Sequence, residues 1–128
     1  MSNVQLILLV QEGSFSVCRL SADARIPDWV PVQGLTSVTR TADELSIVCR
    51  GDASPDGVQA ERDFRVLKIE GPLDFSLTGI LQAVAGPLAD ADISIFALST
   101  YDTDYVLIKQ NDLEKAVSAL ERAGHSIR

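Results

Sequence analysis

GPLDFSLTGILQAVAGPLADADISIFALSTYDTDYVLIK, residues 71–109, decides the fold. It contains a turn, an amphipathic helix, and two apolar strands joined by a short polar hairpin. The turn, Glu70 to Ser76, carries Gly71 and Pro72. Ser76 is a suitable N-cap, and Leu77, Ile80, Leu81, Val84 and Leu88 then recur on one helical face. Gly86-Pro87 is expected to kink that helix, because proline lacks the N–H and crowds the preceding turn. The helix should resume to about residue 90. Residues 93–100 and 104–109 are apolar enough on both faces for central strands. Asn111 is placed to cap a second helix, with Glu114 in the reciprocal position and Leu113, Ala116, Val117 and Leu120 as its buried stripe. Gly124 suits the position after that helix, and only Ser126 to Arg128 are left for a last strand. With a strand over 64–70, the order is β-α-β-β-α-(β). That order builds a ferredoxin-like sheet with both helices on one face.

Outward from this stretch, the first half reads as strands with little helix. Residues 4–10 and 15–20 flank the turn Gln11-Glu12-Gly13-Ser14 and suggest a hairpin. Residues 36–40 and 45–50 suggest a second, with Leu45, Ile47 and Cys49 on one face. Pro27 and Pro31 leave room for one helical turn at most, and Trp29 between them should plug the end of a core. Residues 51–61 are the most linker-like, with Ser54-Pro55-Asp56-Gly57 as a tight turn. The expected boundary lies near Ala60, giving units 1–60 and 61–128. The fold class is α+β: two ferredoxin-like βαββαβ units, the first with reduced helices, each an antiparallel sheet with helices on one face.

The bulk properties exclude several functions. The 128 residues are 46% hydrophobic and 23% charged, which suits a packed core. A net charge of -7, with no basic cluster, opposes nucleic-acid binding. The N-terminal apolar run is five residues, Leu6 to Val10, too short for a membrane span or a signal peptide. A cytoplasmic protein is expected, with Cys18 and Cys49 as reduced core thiols. No metal-ligand spacing, phosphate-binding loop or nucleophile–base spacing is present, so no catalytic residue, metal or cofactor is assigned. His125, the single histidine, is expected to answer a helix dipole.

Two segments carry a family resemblance: LKIEGPLDFSLTGIL, residues 67–81, and ISIFALSTYDTDY, residues 93–105. They resemble the ACT domain, and more narrowly the small tandem ACT proteins related to aspartokinase regulatory segments and to the animal cytosolic arginine sensor. The resemblance covers residues 64–125 well and 2–61 more weakly. It implies regulation: ACT domains bind small ligands, most often amino acids, where the first strand turns into its helix. In this chain that turn is Asp74, Phe75, Ser76, Leu77, Thr78, Gly79 and Ile80. It also implies side-by-side pairing, hence a homodimer.

The residues permit a matching chemistry. Free N–H groups at a helix start, expected near Leu77 to Gly79, donate to a carboxylate. Asp102 and Asp104 in the hairpin could hold an ammonium group, or the Thr100 and Thr103 hydroxyls could line the same pocket. The competing structural readings are a plain N-cap, with Gly79 fitting a tight helix–sheet contact, and a solvated hairpin bonded to its own backbone. The leading expectation is a non-enzymatic amino-acid sensor acting by ligand-stabilised domain or subunit arrangement. The alternative is a ligand-free interaction module; a small enzyme has the least support.

Overall fold

The computed structural model describes residues 4–74 and 76–128. Eight strands, two α-helices and one 3₁₀ turn follow in the order β1 (Ile7–Val10), β2 (Phe15–Leu20), β3 (Ser37–Arg40), β4 (Leu45–Arg50), β5 (Gln59–Ile69), α1 (Ile80–Asp90), β6 (Ile95–Ser99), β7 (Asp104–Lys109), the 3₁₀ turn (Gln110–Asp112), α2 (Leu113–Arg122) and β8 (Ser126–Ile127). They form two compact units. One joins the N-terminal segment through Glu12 to Arg65–Arg128, and the other is Gly13–Phe64.

In the larger unit β6 pairs β7, β7 pairs β5, β5 pairs β1, and β1 pairs β8. β1 runs antiparallel to β5, with Leu8 opposite Ile69, and parallel to β8. Hence the last strand, with almost no chain of its own, has its place beside β5 filled by β1. Leu8, Leu67, Ile69, Val106 and Ile108 form a core with Val84 and Leu88 of α1 and Ala116 and Leu120 of α2. Leu67/Ile69 and Val106/Ile108 are spaced by two, so each pair lies on one face of its strand. Both helices therefore cover the same face, as the sequence order implies.

The smaller unit pairs β3 with β4, β4 with β2, and β2 with the first half of β5. Among its described residues there is no helix. Cys18, Leu45, Ile47 and Cys49 form its core, and Trp29, Val30, Ala53 and Val58 from the irregular segments pack on them. Both cysteines are free and buried.

Several local expectations are corrected. β1 and β2 do not form a hairpin; each bonds to β5 instead. The 59–61 part of the supposed linker is already strand, because it pairs residues 17–19. Residues 4–12, read from sequence with 13–60, group with the second half through the β1 ladders. Pro87 lies within an unbroken α1. Asn111 does not cap α2: the 3₁₀ turn occupies it, and Asp112 stands at the N-cap with no side-chain bond. α2 does end as read, with Gly124 at φ 100° and the His125 N–H bonded to the Leu120 carbonyl.

Candidate functional site

The turn after β5 is built by close approach. A Cβ on Gly71 would stand 3.2 Å from the Asp102 carbonyl oxygen and 3.2 Å from the Thr103 Cβ, so only glycine fits without displacing the hairpin. The Leu73 N–H donates to the Asp102 carbonyl at 2.8 Å. The buried Thr103 hydroxyl donates to the Ile69 carbonyl at 2.7 Å. These two bonds fasten the β6–β7 hairpin to the turn that leads into α1.

Within the hairpin, the Thr100 N–H and hydroxyl both donate to the Thr103 carbonyl, at 2.9 and 3.0 Å. The self-bonded reading of the hairpin thus holds for the Thr100 hydroxyl. Asp102 and Asp104 are among the residues that border a cavity.

Ser76 does not cap α1. Asp74 does the local work: its Oδ1 accepts the Ser76 N–H at 2.9 Å and the Ser76 hydroxyl at 2.8 Å. The backbone bond first, and the hydroxyl second, hold the Asp74 carboxyl below its ordinary value and therefore ionised. The N-cap is Gly79, in the left-handed region at φ 77°. The Gly79 carbonyl accepts the Ala83 N–H at 3.0 Å. It follows that Ile80, Leu81 and Gln82 carry the N–H groups without an intrahelical acceptor. The expected donors near Leu77 to Gly79 thus shift to the first turn of the actual helix. A Cβ on Gly79 would meet nothing within 4 Å, so its backbone angle, not a tight helix–sheet contact, accounts for the glycine.

The turn and hairpin border an open cavity of about 210 Å³. Its walls include Asp74, Leu77 and Ile80 from the turn, and Thr100, Asp102 and Asp104 from the hairpin. Ser76, Thr78 and Gly79 stand outside the lining, and Phe75 lies outside the described residues. Thr103 lines it too, and Leu73, Ser99 and Tyr101 also line it and were missed. Thr103 was legible as a β-branched residue between two carboxylates, but its burial follows from the Gly71 contact, which no periodicity reports. The space is of the order an amino-acid-sized molecule needs. Among the described residues, three carboxylates and no Lys, Arg or His line it; the helix start supplies the positive end. Among the described residues no group of three or more His, Cys, Asp or Glu is placed to hold a metal ion.

An ACT domain family model matches residues 59–122, and a second model, for an N-terminal domain, matches 13–57. The chain belongs to the ACT domain family. It is 38% identical over 60 residues to the Homo sapiens cytosolic arginine sensor for mTORC1 subunit 1, which covers 46% of this chain and 18% of that protein. The chain thus matches less than a fifth of that relative's length. The crystal structure of protein Atu0741 from Agobacterium tumefaciens is similar over 98% of this chain and 93% of that one, with TM-score 0.92 and 42% identity. The regulatory subunit of aspartate kinase from Thermus thermophilus shares the fold at TM-score 0.59 and 12% identity, covering 91% and 96%. These relatives include a sensor and a regulatory subunit, and the fold is the α+β, ferredoxin-like ACT arrangement. No described helix is long and apolar enough to cross a membrane.

Proposed function

We propose that this chain is a cytoplasmic, non-enzymatic amino-acid sensor built of two ACT-like units, and that its ligand occupies the cavity between the 74–80 turn and the 99–104 hairpin. The observation that carries this is the polarity of that cavity. Asp74, held ionised by Ser76, lines it with Asp102 and Asp104, and so does Ile80, the first residue of α1. An α-carboxylate meets the helix start at the Ile80 amide, and the α-ammonium or a cationic side chain meets the carboxylates. A basic amino acid fits this charge set best. Arginine is the first candidate, since a matching relative is named as an arginine sensor.

A thermal-shift screen of the common amino acids tests it. At about 100-fold excess over its dissociation constant, the ligand adds about 2.7 kcal/mol, a shift of several degrees. Leu77→Arg places a cation on the wall and should abolish the shift. Leu77 is 52% exposed, so the fold tolerates the change. Gly79 is the wrong place for such a test, because any side chain there is strained at φ 77°. If no amino acid shifts the transition, the cavity is not an amino-acid site.

We include self-association in this reading. β6 has no charged residue and, among the described residues, pairs on one side only, with β7. Unprotected edges of this kind are covered by a partner strand in stable proteins, here a second copy. Sedimentation over a dilution series should show a dimer at micromolar concentration; a constant 13.8 kDa species sinks it. The alternative of a ligand-free interaction module draws on one observation, the exposed Leu77 and Tyr101 at the cavity rim. It predicts a dimer whose stability no amino acid changes.

A further inference from the structure

Pro87 sits inside α1. In an α-helix the N–H of residue 87 would bond the carbonyl of residue 83. Proline has no N–H, so the Ala83 carbonyl lacks its helical donor. His125 supplies one: its Nε2 lies 2.8 Å from the Ala83 oxygen. The other ring nitrogen, Nδ1, accepts the Leu6 N–H at 3.1 Å. A carbonyl only accepts and an amide N–H only donates, so the two partners fix the ring proton on Nε2. His125 is only 6% exposed. The ring therefore serves α1, the other helix, and not the end of the helix it follows.

The Leu6 bond extends a ladder. The Leu6 carbonyl accepts the Ser126 N–H at 2.9 Å, and the Leu8 carbonyl accepts the Arg128 N–H at 2.8 Å. One imidazole thus stands at the open end of the β1–β8 pair and against the proline turn of α1. We infer that His125 is the surrogate donor that keeps Pro87 within a continuous helix, and a latch that makes α1 and the β1–β8 pair open together. This is independent of any ligand at the first cavity. A second cavity of about 230 Å³, lined by Val4, Gln82, Gly86, Pro87 and Asp90, lies beside the ring. Water can enter there when the ring is removed, so the loss on deletion is partial.

Native-state hydrogen exchange on the full chain tests this with His125→Ala, Pro87→Ala and the double variant. His125→Ala should lower protection of the Ser126 and Arg128 amides, and of the α1 amides, about tenfold, as for one net hydrogen bond. In the Pro87→Ala background the N–H restored at position 87 serves the Ala83 carbonyl. There the loss in α1 should shrink below about twofold, while the loss at Ser126 persists. An equal α1 loss in both backgrounds, or no loss at Ser126, overturns the inference. If His125→Ala does not fold, ¹⁵N signals of the unaltered ring decide the point: a proton on Nδ1 overturns it, and a proton on Nε2 with a bare Nδ1 supports it.

Discussion

The two units cover their sheets by different means. In the larger unit, Val84 and Leu88 of α1 and Ala116 and Leu120 of α2 lie on Leu67, Ile69, Val106 and Ile108. In the smaller one, the segments carrying Trp29, Val30 and Val58 lie on Cys18, Leu45, Ile47 and Cys49. A helix satisfies its own backbone and presents a repeating apolar stripe; an irregular segment must find a partner for each N–H and carbonyl separately. Arg40 shows the cost: its guanidinium donates to the Ala22 and Ala24 carbonyls of that segment. The helical unit also gains two helix starts, and one of these borders a cavity. Position on the chain does not separate the units, since β5 serves both. The difference lies in whether a helix can follow the strand.

The largest expected effect is on the helical cover. Leu88 is fully buried, and Leu88→Ala should cost about 2–5 kcal/mol. The only tryptophan, Trp29, lies in the smaller unit and both described helices lie in the larger one. Far-ultraviolet dichroism and tryptophan fluorescence therefore report the two units separately. Dichroism should move by the full amount and fluorescence by less, because the smaller unit keeps its own core. Equal shifts in both signals would make the comparison one of appearance only.

The thiols probe the other cover. Burial, and next the neighbouring Cys18, push the Cys49 thiol from 9.0 up to about 11. A folded value raised above the unfolded one means stability intact below about pH 9 and lost as pH climbs to about 11, on the order of 2 kcal/mol in all. Cys49→Ala should flatten that alkaline limb. An unchanged limb would mean that irregular segments do not seal the thiol from water.

Thr103→Val comes next. It leaves the Ile69 carbonyl unpaired beneath the hairpin, for about 1–2 kcal/mol. It should also weaken any amino-acid thermal shift, since Thr103 lines the cavity. A ligand shift that survives intact would separate the cavity's shape from the hairpin's fastening.

Much of the helical unit was legible in the sequence, and for a stated reason. Apolar spacing in 80–90 and 113–122 and turn residues such as Gly124 are local signals, and they placed both helices, β6 and β7. The candidate residues Asp74, Leu77, Ile80, Thr100, Asp102 and Asp104 could be grouped because one strand-to-helix turn and one hairpin hold them. Two kinds of signal failed, a choice between neighbouring caps and the non-local partners. Gly79, not Ser76, begins α1, because Asp74 bonds Ser76 and leaves the capping to a left-handed glycine. The pairing of β1 with β5 and β8, and the His125 bond that tolerates Pro87, join residues far apart in the chain. Periodicity carries no information about such partners.

The smallest effect compares the units at one matched feature. Among the described residues, Asp92 and Asp63 are the two with positive φ other than glycine, at 63° and 64°, and one lies in each unit. Asp92 follows α1, where its N–H bonds the Ala89 carbonyl and the Ile93 N–H bonds the Leu88 carbonyl. Gly124 occupies the same position after α2. Asp63 lies on β5 at the register shift against β2, between the Phe15–Phe64 and Val17–Glu61 pairs. Glycine relieves the left-handed strain at either position but raises the entropy of the unfolded chain, so the two terms nearly offset. Asp92 bears one cost that Asp63 does not: its carboxylate stands at the negative end of a helix, worth about 0.3–1 kcal/mol at low salt. Asp92→Gly should therefore stabilise by that much more than Asp63→Gly, and the gap should close as salt screens the dipole. Asp92→Asn, which keeps a side chain tolerant of this backbone and removes the charge, should recover most of the gap. Chemical denaturation of the three variants by urea, at low and high salt, reads all of these. Equal gains at both positions, or a gap that ignores salt, would assign the effect to backbone strain alone and leave the helix end without an electrostatic role.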